Sequence, residues 1–420
     1  MRLVTTALAT MLVLILGTAG PIARAQTGFE TEPVLRAKDL VAAELLKGPN
    51  FTVDDRVPVK GFLARFTIRS GHGVFEAHGI HMLQVRVKEI IALNQLDEMS
   101  KTKEFVDAAG RAIARPVVST VNIVTHPVET VKGLPDGVSR LWDRVELGAQ
   151  AIAGAASAPE KTDAEKAADV SERVGSVTVT ALGYEKERRD LAKGLGVDPY
   201  TTNPALAKKL DDMAWVAFSG RAGIQAATAI FVPYSMAMSA VTITNTTVYD
   251  EPQGDLVNSA QAILAGTGAS AAQVSALMQN KQYSLSVLTA LAHGLQRLQG
   301  VKGLPSVVQL AAAAKTQDET RFVAASANIL ARYHESVSRI AQVAAPGPII
   351  GRTANGTVMV PAPLDYIAWT ERVARFAARE DAKGPERVAW LSGRLSRKAL
   401  KEFESRHWKI HESFTIGAER

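Results

Sequence analysis

The spacing of hydrophobic residues differs from one part of the chain to the next, and the first regular pattern is the alternation typical of β-strands. Between residues 51 and 78 apolar side chains alternate with polar ones, most regularly across 62–68, as in half-buried β-strands. The turn-forming run Ser-Gly-His-Gly at 70–73 lies between two such segments. This order predicts a β-hairpin near the amino end.

Helical spacing follows the hairpin. From Leu83 apolar residues recur at steps of three and four, which predicts a helix to about Met99. Further helical periodicity runs to about residue 343. Within it, Gly196 is expected to end one helix, and Pro204 to occupy the first turn of the next.

The C-terminal part mixes both patterns. Asn355-Gly356 between two β-forming runs predicts a tight hairpin. Helical spacing over 365–379, a strand at 388–391 and a helix capped by Ser396 follow. We therefore expect a small α+β domain at the end of the chain.

Together, these hydrophobic patterns predict an α+β fold that is mostly α-helical, with an N-terminal β-hairpin plus helices, a central helical domain and a small C-terminal α+β domain. The expected segments are a signal peptide (1–25), a hairpin-plus-helices domain (26–148), a linker (149–173), a helical domain (174–343) and the α+β domain (347–420).

The leader pattern predicts export. Arg2 precedes an apolar run at 3–16, and Ala23-Arg24-Ala25 places small residues at the −3 and −1 positions of a cleavage site. The apolar run is too short for a membrane anchor. We expect the mature chain to start at Gln26 and to be periplasmic or secreted, with peripheral membrane association left open.

Composition narrows the chemistry. The chain contains no cysteine, so disulfides, thiol nucleophiles and thiolate metal sites are excluded. The formal net charge of +6 is too small for this length to indicate nucleic acid as a partner. It suits attraction to an envelope protein or an anionic membrane surface, and it leaves a small-molecule ligand unidentified.

The densest group of candidate metal ligands is His72, Glu76, His78 and His81. If 72–78 is a strand, the first three lie on one face, and His81 could supply a fourth zinc ligand. The leading interpretation is a set of solvated side chains at a polar sheet edge, with no cofactor, and zinc binding is the alternative.

Catalytic signatures are missing from the sequence. Gly-x-Ser-x-Gly, His-Glu-x-x-His, a phosphate loop and Gly-x-Gly-x-x-Gly are all absent. The leading hypothesis is therefore an exported cell-envelope binding or scaffold protein without catalytic activity, although enzymatic activity stays open. Two alternatives are a periplasmic, metal-dependent hydrolase using the His72–His81 cluster and a membrane-inserting protein built on the apolar residues 222–243.

Three stretches carry a resemblance. They are Gly196–Thr201 with Asn203, Pro204 and Leu210, then Pro363–Tyr366 with Trp369–Glu371, and Gly393–Ser396. They resemble uncharacterised exported proteobacterial proteins of unknown function, over most of the chain after residue 180. The resemblance implies an exported, modular protein and no particular activity.

Overall fold

The computed structural model describes residues 28–111, 138–139, 179–220 and 247–413. The predicted signal peptide, the linker at 149–173 and the apolar stretch 222–243 lie outside these residues. Within the described part, no helix combines the length and the apolarity that crossing a bilayer requires.

An antiparallel sheet forms the N-terminal part. Six strands take part, in the order β1-β4-β5-β3-β2, with β6 also paired to β5. The strands are β1 (Val34–Arg36), β2 (Lys47–Gly48), β3 (Phe51–Val53), β4 (Arg56–Lys60), β5 (Leu63–Ser70) and β6 (Gly73–His78). The predicted hairpin is confirmed: Ser70 of β5 lies opposite Gly73 of β6.

Helices follow this sheet. The first two are α1 (Ile80–Ser100) and α2 (Lys103–Arg111), and the later ones are α3 (Val179–Leu195), α4 (Pro204–Gly220), α5 (Thr247–Asp250), α6 (Gln253–Gly266), α7 (Ala271–Met278), α8 (Leu285–Gln296), α9 (Leu304–Ala312) and α10 (Gln317–Ser336). The predicted end of a helix at Gly196 and the predicted start at Pro204 are both confirmed.

A second sheet forms the C-terminal part. Its strands are β7 (Ile340–Ala344), β8 (Ile350–Thr353), β9 (Val358–Ala362), β11 (Arg387–Leu391) and β13 (Trp408–His411), in the order β13-β11-β9-β8-β7. The short strands β10 (Tyr366–Ile367) and β12 (Arg394–Leu395) pair separately, and the helices are α11 (Glu371–Ala377) and α12 (Arg397–Glu404).

Strand direction in this second sheet follows from its connections. The hairpin predicted at Asn355-Gly356 is confirmed, since β8 and β9 are antiparallel. By contrast β9, β11 and β13 are parallel, and α11 and α12 occur in the two connections between them. Parallel neighbours need such long crossovers, whereas antiparallel ones accept a tight turn.

The prediction of a mostly α-helical fold is wrong. A six-stranded antiparallel sheet replaces the single expected hairpin, and the C-terminal sheet has five strands. Sequence periodicity underestimated the N-terminal sheet because strands β1, β2 and β3 are only two or three residues long. Such segments are too short for alternation to be recognised.

The N-terminal sheet and the C-terminal part share contacts. Phe62, in the turn between β4 and β5, has a left-handed φ of 71° and is only 2% exposed. It packs in the same hydrophobic cluster as Leu364 and Trp390, and its carbonyl accepts a hydrogen bond from Asp365 N at 3.1 Å. Left-handed backbone is unfavourable for a bulky residue, so burial of the ring and this hydrogen bond must offset it. The domain boundaries expected from the sequence stay predictions.

Candidate functional site

A cavity of about 100 Å³ lies between α1, the loop 196–202, the start of α8 and one side chain of α10. One buried water needs roughly 10–15 Å³, so this cavity has room for a small organic molecule. Its lining includes the histidine His81 and the acidic or basic residues Lys88, Glu89, Asp198 and Arg321.

Local backbone rules build the loop 196–202. Gly196 ends α3 with φ +67°, a conformation that costs glycine little. The next amide, Val197 N, donates to Ala192 O at 3.0 Å. Asn203 then caps α4 by accepting a hydrogen bond from Ala205 N at 3.1 Å, the usual role of asparagine before a helix.

Glu89 fixes this loop against α1. Its carboxylate is 2% exposed and accepts hydrogen bonds from Thr201 Oγ1, from Asn203 Nδ2 at 3.1 Å and from Arg86. Burying a carboxylate is costly unless donors surround it. The three hydrogen-bond donors stabilise the buried Glu89 carboxylate, which in turn holds the loop 196–202 against α1 at the cavity.

Asp198 faces the cavity from the loop. Its Oδ1 accepts two hydrogen bonds, from Ser286 Oγ at 2.5 Å and from Tyr200 N at 2.8 Å. Burial raises the pKa of Asp198 to about 6, and these two hydrogen bonds oppose the rise. Burial thus disfavours the charged form of this carboxylate, and the two hydrogen bonds stabilise it.

Lys88 faces the cavity from α1. Its side chain has neither a hydrogen-bonding nor an ionic partner among the described residues, and burial lowers its pKa. A half-buried ammonium group without a counter-ion is unfavourable, so this position favours an anion.

Arg321 enters the cavity from α10 and belongs to a second buried network. Its guanidinium lies 3.3 Å from Asp318 Oδ1, and Oδ2 of the same carboxylate lies 2.8 Å from His78 Nδ1 and 3.5 Å from Arg65. Burial would raise the pKa of Asp318, but the hydrogen bond from His78 and the charges of Arg321, His78 and Arg65 lower it to about 2.

The four predicted zinc ligands do not meet in one place. His72 contacts Asn94 at 2.9 Å, whereas His78 contacts Asp318. Glu76 lies 3.7 Å from His78 Nε2 on the exposed side of β6, and His81 lines the cavity.

Within the described residues, no three histidine, aspartate or glutamate side chains are grouped so that they could hold a metal ion. The zinc site stays a prediction, and the geometry around these four residues gives it no support.

Sequence reasoning missed Lys88, Asp198 and Ser286 as a group. The three side chains come from separate segments, and only their packing brings them to one cavity. One signal was available: the stretch beginning at Gly196, which carries the resemblance noted above, contains Asp198.

Comparison with known proteins adds no assignment, because no family model, no curated protein and no solved structure matches this chain. The resemblance to exported proteobacterial proteins stays a prediction. Function has to be argued from the cavity itself.

Proposed function

We propose that this chain is an exported binding protein that holds a small organic anion in the cavity, rather than an enzyme. The observation that carries the proposal is Lys88, a half-buried cation on the cavity wall without a partner among the described residues. The hydroxyl groups of Thr201 and Ser286 line the same cavity and donate their protons to Glu89 and Asp198. A few polar groups converging on a small cavity are typical of ligand sites.

Among the described residues, no side chain compensates the charge of Lys88. Burial lowers the pKa of Lys88 because desolvation disfavours its charged form. An anionic group bound beside the ammonium would reverse that penalty, and the gain would appear as binding free energy. A site of this kind therefore selects solutes that carry a carboxylate or a similar anion.

The test is binding of acetate, propionate and butyrate, measured by calorimetry and by the shift in Tm, against sodium chloride at equal ionic strength. We expect at least one carboxylate to bind and to raise Tm, and Lys88→Met to abolish both effects. The matched control is Lys281→Met, since Lys281 is exposed and lies outside the cavity lining. Equal binding by Lys88→Met and the parent chain, or no binding by any of the three, would contradict the proposal.

The exported location rests on the leader pattern at residues 1–25. Fractionation of cells expressing the full chain, followed by mass spectrometry of its amino terminus, tests this part. We expect a mature protein outside the cytosol that starts at Gln26. An intact Met1 in the cytosolic fraction would contradict export and leave the cavity argument untouched.

A further inference from the structure

We propose that the solute is a zwitterion, whose ammonium group pairs with Asp198 while its anionic group pairs with Lys88. This inference rests on the proposed function and adds the second charge of the ligand. It depends on which charges of the cavity are already compensated by the protein.

Two of the cavity's charged residues have partners within the chain. Glu89 pairs with Arg86 on the same helix. Arg321 pairs with Asp318, 3.3 Å away. Each of these two residues therefore has an oppositely charged partner within the chain, although Asp318 is shared with Arg65.

Asp198 and Lys88 form no salt bridge among the described residues. The charge of Arg188 acts on Asp198 only from beyond salt-bridge distance, and Arg188 itself pairs with Asp211 at 2.7 Å. Among the described residues Asp198 forms no ion pair, and both of its hydrogen bonds end on Oδ1. Lys88 has no partner in the same part of the chain. The two residues line one cavity without pairing with each other, so one negative and one positive charge remain to be matched there.

A solute with a single charge would satisfy only half of this arrangement. An anion beside Lys88 would leave Asp198 buried without a cation, and its own charge would add to the negative potential there. A solute that carries both an ammonium and a carboxylate would compensate both residues together. Burial disfavours the charged form of each residue, raising the pKa of Asp198 and lowering that of Lys88, and a zwitterion would relieve both penalties.

The discriminating experiment uses matched solutes of three lengths at neutral pH. Glycine, β-alanine and 4-aminobutyrate each carry both charges; acetate, propionate and butyrate lack the amine. Methylamine, ethylamine and propylamine lack the carboxylate. Calorimetry on the full chain gives the Kd of each, and the three lengths allow for the span between the two residues.

We expect the best zwitterion to bind about tenfold or more tightly than its matched carboxylate, since a hydrogen bond to a buried charged group contributes on that order. Asp198→Asn should remove this advantage while keeping carboxylate binding. Asp255→Asn is the control, because Asp255 is exposed on α6 and outside the cavity.

The outcomes separate the two proposals. If carboxylates bind through Lys88 but no zwitterion exceeds its matched carboxylate, the zwitterion inference is wrong and the binding proposal stands. If the advantage survives in Asp198→Asn, the assignment of the ammonium group to Asp198 is wrong. If none of the carboxylates binds, the binding proposal is wrong whatever the zwitterions do, and if no zwitterion binds either, both proposals fail.

Discussion

Asp365 Oδ2 accepts a hydrogen bond from Ala64 N at 2.8 Å, although the two residues are 301 positions apart. The other oxygen, Oδ1, accepts from Ile80 N at 3.2 Å. Ile80 begins α1, and the residue before it, Gly79, has no side chain to cap the helix. A carboxylate from the C-terminal part thus caps the helix whose first three turns line the cavity.

The first prediction concerns this cap. Asp365→Ala should lower the free energy of unfolding by about 3 kcal/mol, because it leaves the amides of Ala64 and Ile80 without their acceptor. Urea denaturation gives the value. Asp55→Ala is the control: Asp55 is 58% exposed in a surface ion pair with Arg36, so its loss should cost at most about 1 kcal/mol. Equal losses in the two variants would show that the long-range cap contributes little.

The second prediction concerns pH. Burial raises the pKa of Asp365 to about 6, although the amides of Ala64 and Ile80 and the charge of Arg65 oppose the rise. The folded state therefore binds more protons than the unfolded state between pH 4 and 6, so Asp365 makes the protein less stable as pH rises through this range. The change should reach about 2–3 kcal/mol, the equivalent of roughly two pK units.

Other groups titrate nearby, so a difference measurement is needed. Burial lowers the pKa of His334, so this residue makes the protein more stable as pH rises toward 6.5. The lowered pKa of Asp318 stabilises the folded state, and this stabilisation is lost only as pH falls below 4. The free energy of unfolding of the parent chain minus that of Asp365→Asn, measured from pH 4 to pH 7, isolates the carboxyl. That difference should fall as pH rises from 4 to 6. A difference that does not change with pH would refute a raised pKa for Asp365.

Local features of this fold could be predicted from the sequence because they depend on a few adjacent residues. The end of α3 at Gly196 needs a left-handed φ, and Ser396 caps α12 by accepting from Ala399 N at 2.9 Å. The hairpin at Asn355-Gly356 follows from the same kind of local preference.

Long-range pairing could not be predicted in this way. Hydrophobic spacing does not say which strand lies beside β11, and nothing near Ala64 in the sequence indicates Asp365. The cavity has the same origin, because Lys88, Asp198 and Ser286 meet only after α1, α3 and α8 have packed. The four residues predicted as zinc ligands were close in sequence, yet their side chains face different partners.

A third prediction concerns Gly393, where two segments of backbone approach closely. A Cβ at this position would lie 1.9 Å from Asp365 O. Such a contact is a steric clash, so β10 or β12 would have to shift to accommodate the methyl group. Gly393→Ala should therefore lower the free energy of unfolding by about 3 kcal/mol, measured by urea denaturation. Gly254→Ala is the matched control, since a Cβ there meets nothing within 4 Å. On α6 the added methyl should leave stability unchanged or raise it by up to about 1 kcal/mol. Similar values for the two variants would contradict the close approach.

The last prediction concerns Thr201, which connects the stability of the loop with the shape of the cavity. Thr201→Val keeps the side-chain volume but removes a hydroxyl donor from the buried carboxylate of Glu89. The free energy of unfolding should fall by about 2 kcal/mol, because a hydrogen bond to a charged group is lost.

Binding should respond as well, since Thr201 and Asp198 belong to the same loop and both line the cavity. We expect calorimetry to show weaker binding of the tightest carboxylate or zwitterion identified above. Thr52→Val provides the control, because Thr52 is exposed on β3, far in sequence from the loop and outside the cavity lining. It should change stability by no more than about 0.5 kcal/mol and leave binding unaltered. Normal stability in Thr201→Val would mean that Glu89 is satisfied without this hydroxyl, and that the loop is held by Asn203 and Arg86 instead.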